Sequence, residues 1–242
     1  MTILLYHLVL RKIIGVIPMD FGNMLSDSLS YAKDAVWGKW VQWILLAIST
    51  IIFPLIMGYM VRIYSGIKPA PEVGNWVETF IDGLKFLVIG IIYGIPMFVI
   101  TIIFMVPALM AAINGDFMLA LGSVGIGFLL LLVVGVIITL ISAIGVIRFA
   151  HTDSMGQAFA FSAIFEHIGK IGWGSYIIAL IILWIAGIVF DVIVLILATV
   201  FGLIPFLGGL LVWLIMLFLF PVWFIFAARY MVLVYESAPA PA

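Results

Sequence analysis

The sequence predicts an all-α, polytopic helical membrane protein, and two nearly charge-free stretches carry that prediction. The stretches 86–147 and 171–228 each contain a single charged side chain, Asp116 in the first and Asp191 in the second. One helical crossing of a bilayer needs about 20 predominantly apolar residues, so each stretch is long enough for two crossings. Composition agrees, since 67% of the 242 residues are hydrophobic and 9% are charged, against roughly 25% charged in soluble domains.

The apolar residues fall into five segments within one integral membrane domain, which we place at 24–235. The segments are approximately 40–61, 86–113, 117–147, 173–200 and 206–228. Turns without Lys or Arg join the second segment to the third and the fourth to the fifth. Because Asn-Gly-Asp is typical turn chemistry, we expect Asn114 and Asp116 to cap the first of these turns. The sequence therefore predicts two long transmembrane hairpins.

Basic residues are concentrated in the connectors 62–85 and 148–172, and a further arginine, Arg229, precedes the C-terminal tail. Lys and Arg are enriched in the cytoplasmic loops of membrane proteins. We therefore expect both connectors and the C-terminus to lie on the cytoplasmic side of the cell membrane. The two short turns would then lie outside.

The first apolar segment, 40–61, has two alternative paths. A single crossing is the simpler interpretation, because proline is tolerated in membrane helices. That path leaves Lys33 and Lys39 outside, against the charge rule. A re-entrant path would reverse near Phe53-Pro54, with two limbs of about 16 Å each at 1.5 Å per residue. The sequence alone leaves both paths open.

Three stretches have the pattern of amphipathic helices that lie at the membrane interface. They are 24–38, 74–85 and 154–171, and each places aromatic or aliphatic residues on one side and charged residues on the other. Such helices lie in the headgroup plane with the apolar face sunk into the bilayer. We expect them to shape the start of each hairpin, and a lipid-sensing or partner-docking collar is the alternative.

Three arginines, Arg62, Arg148 and Arg229, each follow an apolar segment. A long cationic side chain at a helix end can reach the phosphates of the headgroup layer while its stem stays in apolar surroundings. We therefore expect these three residues to contact lipid headgroups, with anionic lipids as the matching ligand.

Asp191 is the one ionisable residue deep inside a long apolar segment. Carboxylates within a membrane are costly and are candidate ion or proton sites, so Asp191 is the candidate transport residue. Eighteen residues after Trp173, however, it lies about 27 Å along a helix, which is close to the outer interface. The structural interpretation, a carboxylate that reaches water, therefore competes with the transport interpretation.

The sequence contains no motif for catalysis, for a cofactor or for nucleic acid. Cysteine is absent, which excludes disulfides, thiolate metal sites and thiol catalysis. His151, Asp153, Glu166 and His167 superficially suggest a metal site, but their spacing matches no known ligand motif. We therefore expect no bound metal and no cofactor.

The two chain ends fall outside the predicted domain. We expect residues 1–23 to be an N-terminal extension. Arg11 and Lys12 interrupt its apolar run and would be costly at the bilayer centre, so the stretch is either an interfacial segment or an extension upstream of the true start. Met19 and Met24 are alternative initiators. The proline- and alanine-rich tail at 236–242 is predicted to be disordered.

Three strings together resemble a known family. They are Phe53-Pro-Leu-Ile-Met-Gly-Tyr-Met-Val-Arg62, Phe80-Ile-Asp-Gly-Leu-Lys85 and Tyr93-Gly-Ile-Pro96. The chain resembles an archaeal, occasionally bacterial, family of multi-pass membrane proteins that is catalogued only as a domain of unknown function. The resemblance covers roughly 24–235 and implies a multi-pass helical fold. It implies no activity, substrate or catalytic residue.

The function that we expect is a non-enzymatic membrane scaffold or accessory subunit. Its partners would be the lipid bilayer and other membrane subunits, or a second copy, since Gly90 and Gly94 form the Gly-x-x-x-Gly pair that favours close helix approach. A small transporter or channel that uses Asp191 and its proline-kinked helices is the alternative. A membrane enzyme acting on lipids is a weaker one, and it requires His151 or His167 to lie beside an acidic side chain.

Overall fold

The computed structural model describes residues 19–238, and that part of the chain is all-α with no strand. Four of its helices are long and apolar enough to cross a membrane, which confirms the polytopic fold class. The helices are α1 (Phe21–Val36), α2 (Trp40–Ile51), α3 (Phe53–Tyr64), α4 (Trp76–Ile113), α5 (Phe117–Thr152), α6 (Phe161–Ile171), α7 (Trp173–Gly202) and α8 (Gly208–Glu236). A 3₁₀ turn, Met155–Phe159, precedes α6.

The first hairpin turns where the sequence predicts. Helix α4 ends at Ile113 and α5 begins at Phe117, because the side chain of Asp116 accepts a hydrogen bond from the backbone N–H of Leu119 at 3.0 Å. This bond satisfies one of the free N–H groups that every helix start exposes. Gly115 has a φ of 80°, which only glycine adopts without strain.

The structure has two parts, which we call the base and the arms. The first arm consists of 94–113 and 117–137, and the second of 184–202 and 208–221. The base is the remainder of the described residues. Three clusters of buried side chains hold the base together, and none of them includes a residue of either arm. Within each arm the two helices cover each other, and the base reaches the second arm where Nε1 of Trp43 donates to the carbonyl oxygen of Phe218 at 2.9 Å.

The segment 40–61 folds back on itself, which corresponds to the re-entrant one of the two paths that the sequence leaves open. Helix α2 ends at Ile51 and α3 starts at Phe53. The amide of Gln42 and the hydroxyl of Tyr59 both donate to the carbonyl oxygen of Pro71, at 3.0 and 2.8 Å. In one straight helix these two residues would lie about 25 Å apart. The two limbs therefore run antiparallel, and both free ends lie at the base.

Two helices differ from the sequence pattern. The stretch 74–85 is not a separate surface helix, since α4 runs without a break from Trp76 through Lys85 into the apolar segment. Nothing in the sequence at Lys85 interrupts the i to i−4 hydrogen bonds. Helix α1 begins at Phe21, three residues before position 24, and Asp20 caps it by accepting the N–H of Asn23 at 3.0 Å. Residues 1–18 and 239–242, which include most of the predicted extension and tail, lie outside the described residues.

Aromatic donors connect the helices of the base through backbone carbonyls. Tyr176 of α7 donates to Leu140 of α5 at 2.7 Å, and Tyr230 of α8 donates to Ala179 of α7 at 3.2 Å. Tyr93 of α4 donates to the carbonyl of Ala158 in the 3₁₀ turn. Buried phenols need a hydrogen-bond partner, so each of these bonds holds the register between two elements.

Candidate functional site

Arg229 is buried and paired within the protein, an arrangement that differs from the headgroup contact predicted from the sequence. Its side chain is 1% exposed, because α1 packs along the end of α8 and covers it. The Nε of Arg229 donates to Asp27 at 2.8 Å. The guanidinium also lies 5.3 Å from the centre of the Tyr31 ring, within range of a cation–π interaction. Nη2 of Arg229 has no protein partner among the described residues.

The Asp27 carboxylate links three elements of the base. It accepts from Arg229 of α8 through one oxygen and from Lys68 of the α3–α4 connector through the other, at 3.3 Å. Burial on its own raises the pKa of Asp27, but the hydrogen bonds and charges of Arg229 and Lys68 outweigh it and hold the pKa below its ordinary value. Asp27 is therefore ionised at neutral pH.

A polar cleft of about 500 Å³ lies beside this ion pair. Tyr31 forms part of its wall and donates to the carbonyl of Ile67 at 2.9 Å. Burial raises the pKa of Tyr31 to about 12, so the phenol stays a donor. The cleft is lined by Asn23, Ser26, Asp27, Ser30, Tyr31, Asp34, Lys68, Pro69 and Ala70. Asp27 and Lys68 of this lining already pair with each other, and Asp27 pairs with Arg229 as well, so the arrangement is a clamp between α1, the connector and α8.

Arg62 and Arg148 are both partly exposed. Arg62 donates to the carbonyl of Glu72 at 3.1 Å. Arg148 donates to the side chain of Gln157 at 2.8 Å, while its Nε has no protein partner among residues 19–238. Neither arginine pairs with a carboxylate in that range. The predicted contact with lipid headgroups stays a prediction for these two residues.

The two histidines of the second connector stack on one tyrosine. The ring centres of His167 and His151 lie 4.0 and 4.9 Å from that of Tyr235. His167 Nε2 lies 3.0 Å from the carbonyl oxygen of Tyr235, and His151 Nδ1 lies 3.0 Å from that of Ile147. Within 19–238, no carboxylate approaches either imidazole within ion-pair distance. No group of three or more potential metal ligands occurs there.

Asp191 lies on the exposed surface of α7, in the second arm. It makes no ion pair within the described part of the chain. The transport interpretation requires a carboxylate that faces the bundle interior beside other polar groups. The neighbouring residue Phe190 instead faces the partner helix, with its ring 5.2 Å from Trp223.

Sequence reasoning missed Asp27 and Tyr31. A signal for them exists, since Met24, Asp27 and Tyr31 are spaced as one helix face, and an acid within an apolar stripe indicates a buried partner. The partner itself is 202 positions away, and no local pattern identifies it.

A family model described as "Protein of unknown function (DUF4013)" matches residues 43–199. The matched range begins in α2, contains the whole first hairpin and ends near the tip of α7. It includes Asp191 and excludes Asp27 and Arg229. No curated protein and no solved structure matches the chain.

Proposed function

The chain belongs to this family of proteins of unknown function, and from that premise we propose that it is a membrane-embedded scaffold or accessory subunit without catalysis of its own. The base holds the two arms in place, and the arms present apolar surface to other membrane proteins. The single observation that carries the proposal is the contrast between these two parts.

Most side chains of the arms are exposed. Phe128 in the first arm is 63% exposed and Trp184 in the second is 69% exposed. The arm helices 94–113 and 184–202 are each about 30 Å long at 1.5 Å per residue, which matches the hydrocarbon thickness of a bilayer. A membrane helix that its own protein leaves bare is available to lipid or to another helix.

The base is proposed to lie at the cytoplasmic face, with Arg62 and Arg148 close to anionic headgroups of the cell membrane. The charge rule for cytoplasmic loops supports this side, because the charged connectors 62–85 and 148–172 both belong to the base. The two hairpin turns, which contain no Lys or Arg, would then lie on the opposite side.

Three observations favour a scaffold over the alternatives. Asp191 is exposed and not directed into the bundle, which weakens the transporter alternative. The polar groups of the Asp27–Arg229 pair bond each other, as structural groups do. The two imidazoles bond backbone carbonyls, which weakens the alternative of a lipid-acting enzyme.

Site-specific photo-cross-linking in native membranes tests the proposal. Benzoylphenylalanine replaces Phe128 in the first arm or Ile196 in the second, both of which are exposed. Tyr59, which is buried in the base, is the matched control. We expect each arm position to give a discrete adduct with another protein, and we expect the control to give none.

Adducts with lipid alone at both arm positions would contradict the proposal. A separate experiment uses the purified chain in sealed vesicles loaded with a panel of ions. A flux that depends on Asp191 would favour the transporter alternative.

A further inference from the structure

A carboxylate interrupts a stripe of apolar side chains on the bare surface of the second arm. Trp184, Ile188, Val192 and Leu195 are 69, 42, 48 and 65% exposed. Their spacing places them with Asp191 on one face of α7. The opposite face of α7 packs on α8, where the Trp223 ring lies against Gly187. The stripe is therefore the side of the second arm that no described helix covers.

The depth of Asp191 follows from which parts of α7 are already covered. The start of α7 packs one face into the base, with Tyr176 and Ala179 fully buried, while Ile177 and Ile178 are 41 and 48% exposed. The end of α7 and the turn are apolar and bare, and Phe206 at the turn is 106% exposed. Because the turn is apolar and bare, the outer edge of the hydrocarbon must lie near it. Asp191 lies 11 residues before Gly202, about 16 Å from this tip. Measured from the tip, it is close to the middle of a bilayer about 30 Å thick, deeper than the position near the outer interface that counting from Trp173 gives.

A carboxylate at that depth is costly and in membrane proteins usually has a partner. The described arms contain no Lys or Arg, because the stretches 86–147 and 171–228 have none. A second copy that packs arm to arm would bring another aspartate to the same depth. Within residues 19–238, Asp191 therefore has no cation beside it.

We propose that the Asp191 stripe is the docking face for a transmembrane helix of another protein that carries a Lys or Arg near the bilayer centre. This inference rests on the proposed accessory function and names the partner's chemistry. The apolar neighbours of Asp191 supply packing surface, and the ion pair selects the partner and its register. Opposite charges within a bilayer attract strongly because no water screens them.

A synthetic helix is the probe. Peptides of about 20 apolar residues, with either Lys or Leu at the centre, carry a donor dye and are mixed with the full-length chain in phosphatidylcholine vesicles. The chain has no cysteine, so Phe206→Cys at the exposed tip accepts one acceptor dye. Energy transfer then reports association.

We expect the Lys peptide to associate about tenfold more tightly than the Leu peptide, in line with polar contacts between membrane helices. Asp191→Asn should remove that preference, and Asp191→Lys should transfer it to a peptide with a central Asp. Asp116→Asn, at the tip of the first hairpin, is the matched control and should keep the wild-type preference.

Equal association of the two peptides with the wild-type chain would overturn the inference. Self-association of the chain that Asp191→Asn abolishes would also overturn it, because the partner would then be a second copy. A cross-link from residue 195 to the first 18 residues of the same chain would do the same, because the partner would then lie within the chain. The photo-cross-linking above is independent of charge. If the photo-cross-linking gives protein adducts but the peptide experiment shows no preference for Lys, the docking face is refuted and the scaffold function stands.

Discussion

Gly58 and Gly83 lie against each other where α3 crosses α4. A Cβ added to Gly58 would lie 3.0 Å from the backbone nitrogen of Gly83, and a Cβ added to Gly83 would lie 2.9 Å from the backbone nitrogen of Gly58. The Cβ on Gly58 would also overlap the backbone carbonyl of Thr79, and the Cβ on Gly83 would overlap that of Pro54. Backbone cannot move aside as a flexible side chain does. The close crossing of α3 and α4 therefore depends on these two glycines.

Substitution at this crossing is expected to destabilise the base. Gly83→Ala should lower the free energy of unfolding by about 3 kcal/mol, the upper end for overpacking. Gly90→Ala, in the same helix with no atom within 4 Å of its added Cβ, should be neutral or stabilising by about 0.5 kcal/mol. Denaturant unfolding in detergent micelles measures both. Equal midpoints for the two variants would show that the crossing is not tight.

Removing either partner of the Asp27–Arg229 pair should have unequal effects. Asp27→Asn leaves a cation that is 1% exposed without its counter-charge, and should cost about 3 kcal/mol. Arg229→Met removes the buried charge, while Asp27, 40% exposed, can still reach water and Lys68, so this variant should cost less. The double variant should be closer to wild type than Asp27→Asn alone. Asp34→Asn, at an exposed residue of the same helix, is the control for this series.

Stability should fall as the pH drops through 6.5 because of His167. Burial lowers the pKa of His167, and the bond with the Tyr235 carbonyl opposes that effect without cancelling it. Above the ordinary value of 6.5, neither state is protonated and the stability is complete. As the pH falls below 6.5, His167 takes up a proton in the unfolded state but not yet in the native state, so the free energy of unfolding decreases until the pH reaches the lowered native pKa. His167→Phe, which keeps the stacking on Tyr235, should flatten this step in pH-dependent unfolding.

A second, more acidic step should belong to Asp27. Because its pKa is lowered in the native state, the stability that it contributes is complete above the ordinary value of 3.8 and is lost as the pH falls through the native value. Asp27→Asn should remove this step and leave the one near pH 6.5. A curve in which one variant abolishes both steps would contradict the assignment.

The fold-back of 40–61 can be checked with two single cysteines in this cysteine-free chain. Lys39→Cys and Ser65→Cys flank the two limbs, so a membrane-impermeant maleimide should label both from the same side of sealed vesicles. Labelling from opposite sides would restore the single crossing.

Local chemistry decides how much of this fold the sequence predicts. The turn at 114–116 is predicted to the residue, because Gly115 and the Asp116 cap act within a few positions. The reversal at Phe53-Pro54 is visible as a break, but its direction depends on Pro71, whose carbonyl joins both limbs. Non-local packing decides the rest.

Arg229 shows what the sequence cannot predict. Seen alone, it is an arginine after an apolar segment, and the rule for helix ends assigns it to headgroups. Helix α1 covers it only in the folded chain, and Asp27 comes from the other end of the sequence. For Asp191 the sequence predicts more, because a single carboxylate in an apolar segment is visible there. That its side chain is exposed and not directed into the bundle is known only from the structure.

The most direct test of a base with two membrane-crossing arms is a map of sidedness. Single cysteines at Asn114 and Phe206 report the two tips, and cysteines at Lys68 and Lys170 report the base. In sealed vesicles, an impermeant maleimide should label both tips from one face and both base positions from the other. Labelling of a tip and the base from the same face would contradict the account. So would labelling of all four positions in sealed vesicles to the extent seen in unsealed ones, because the membrane would then separate none of them.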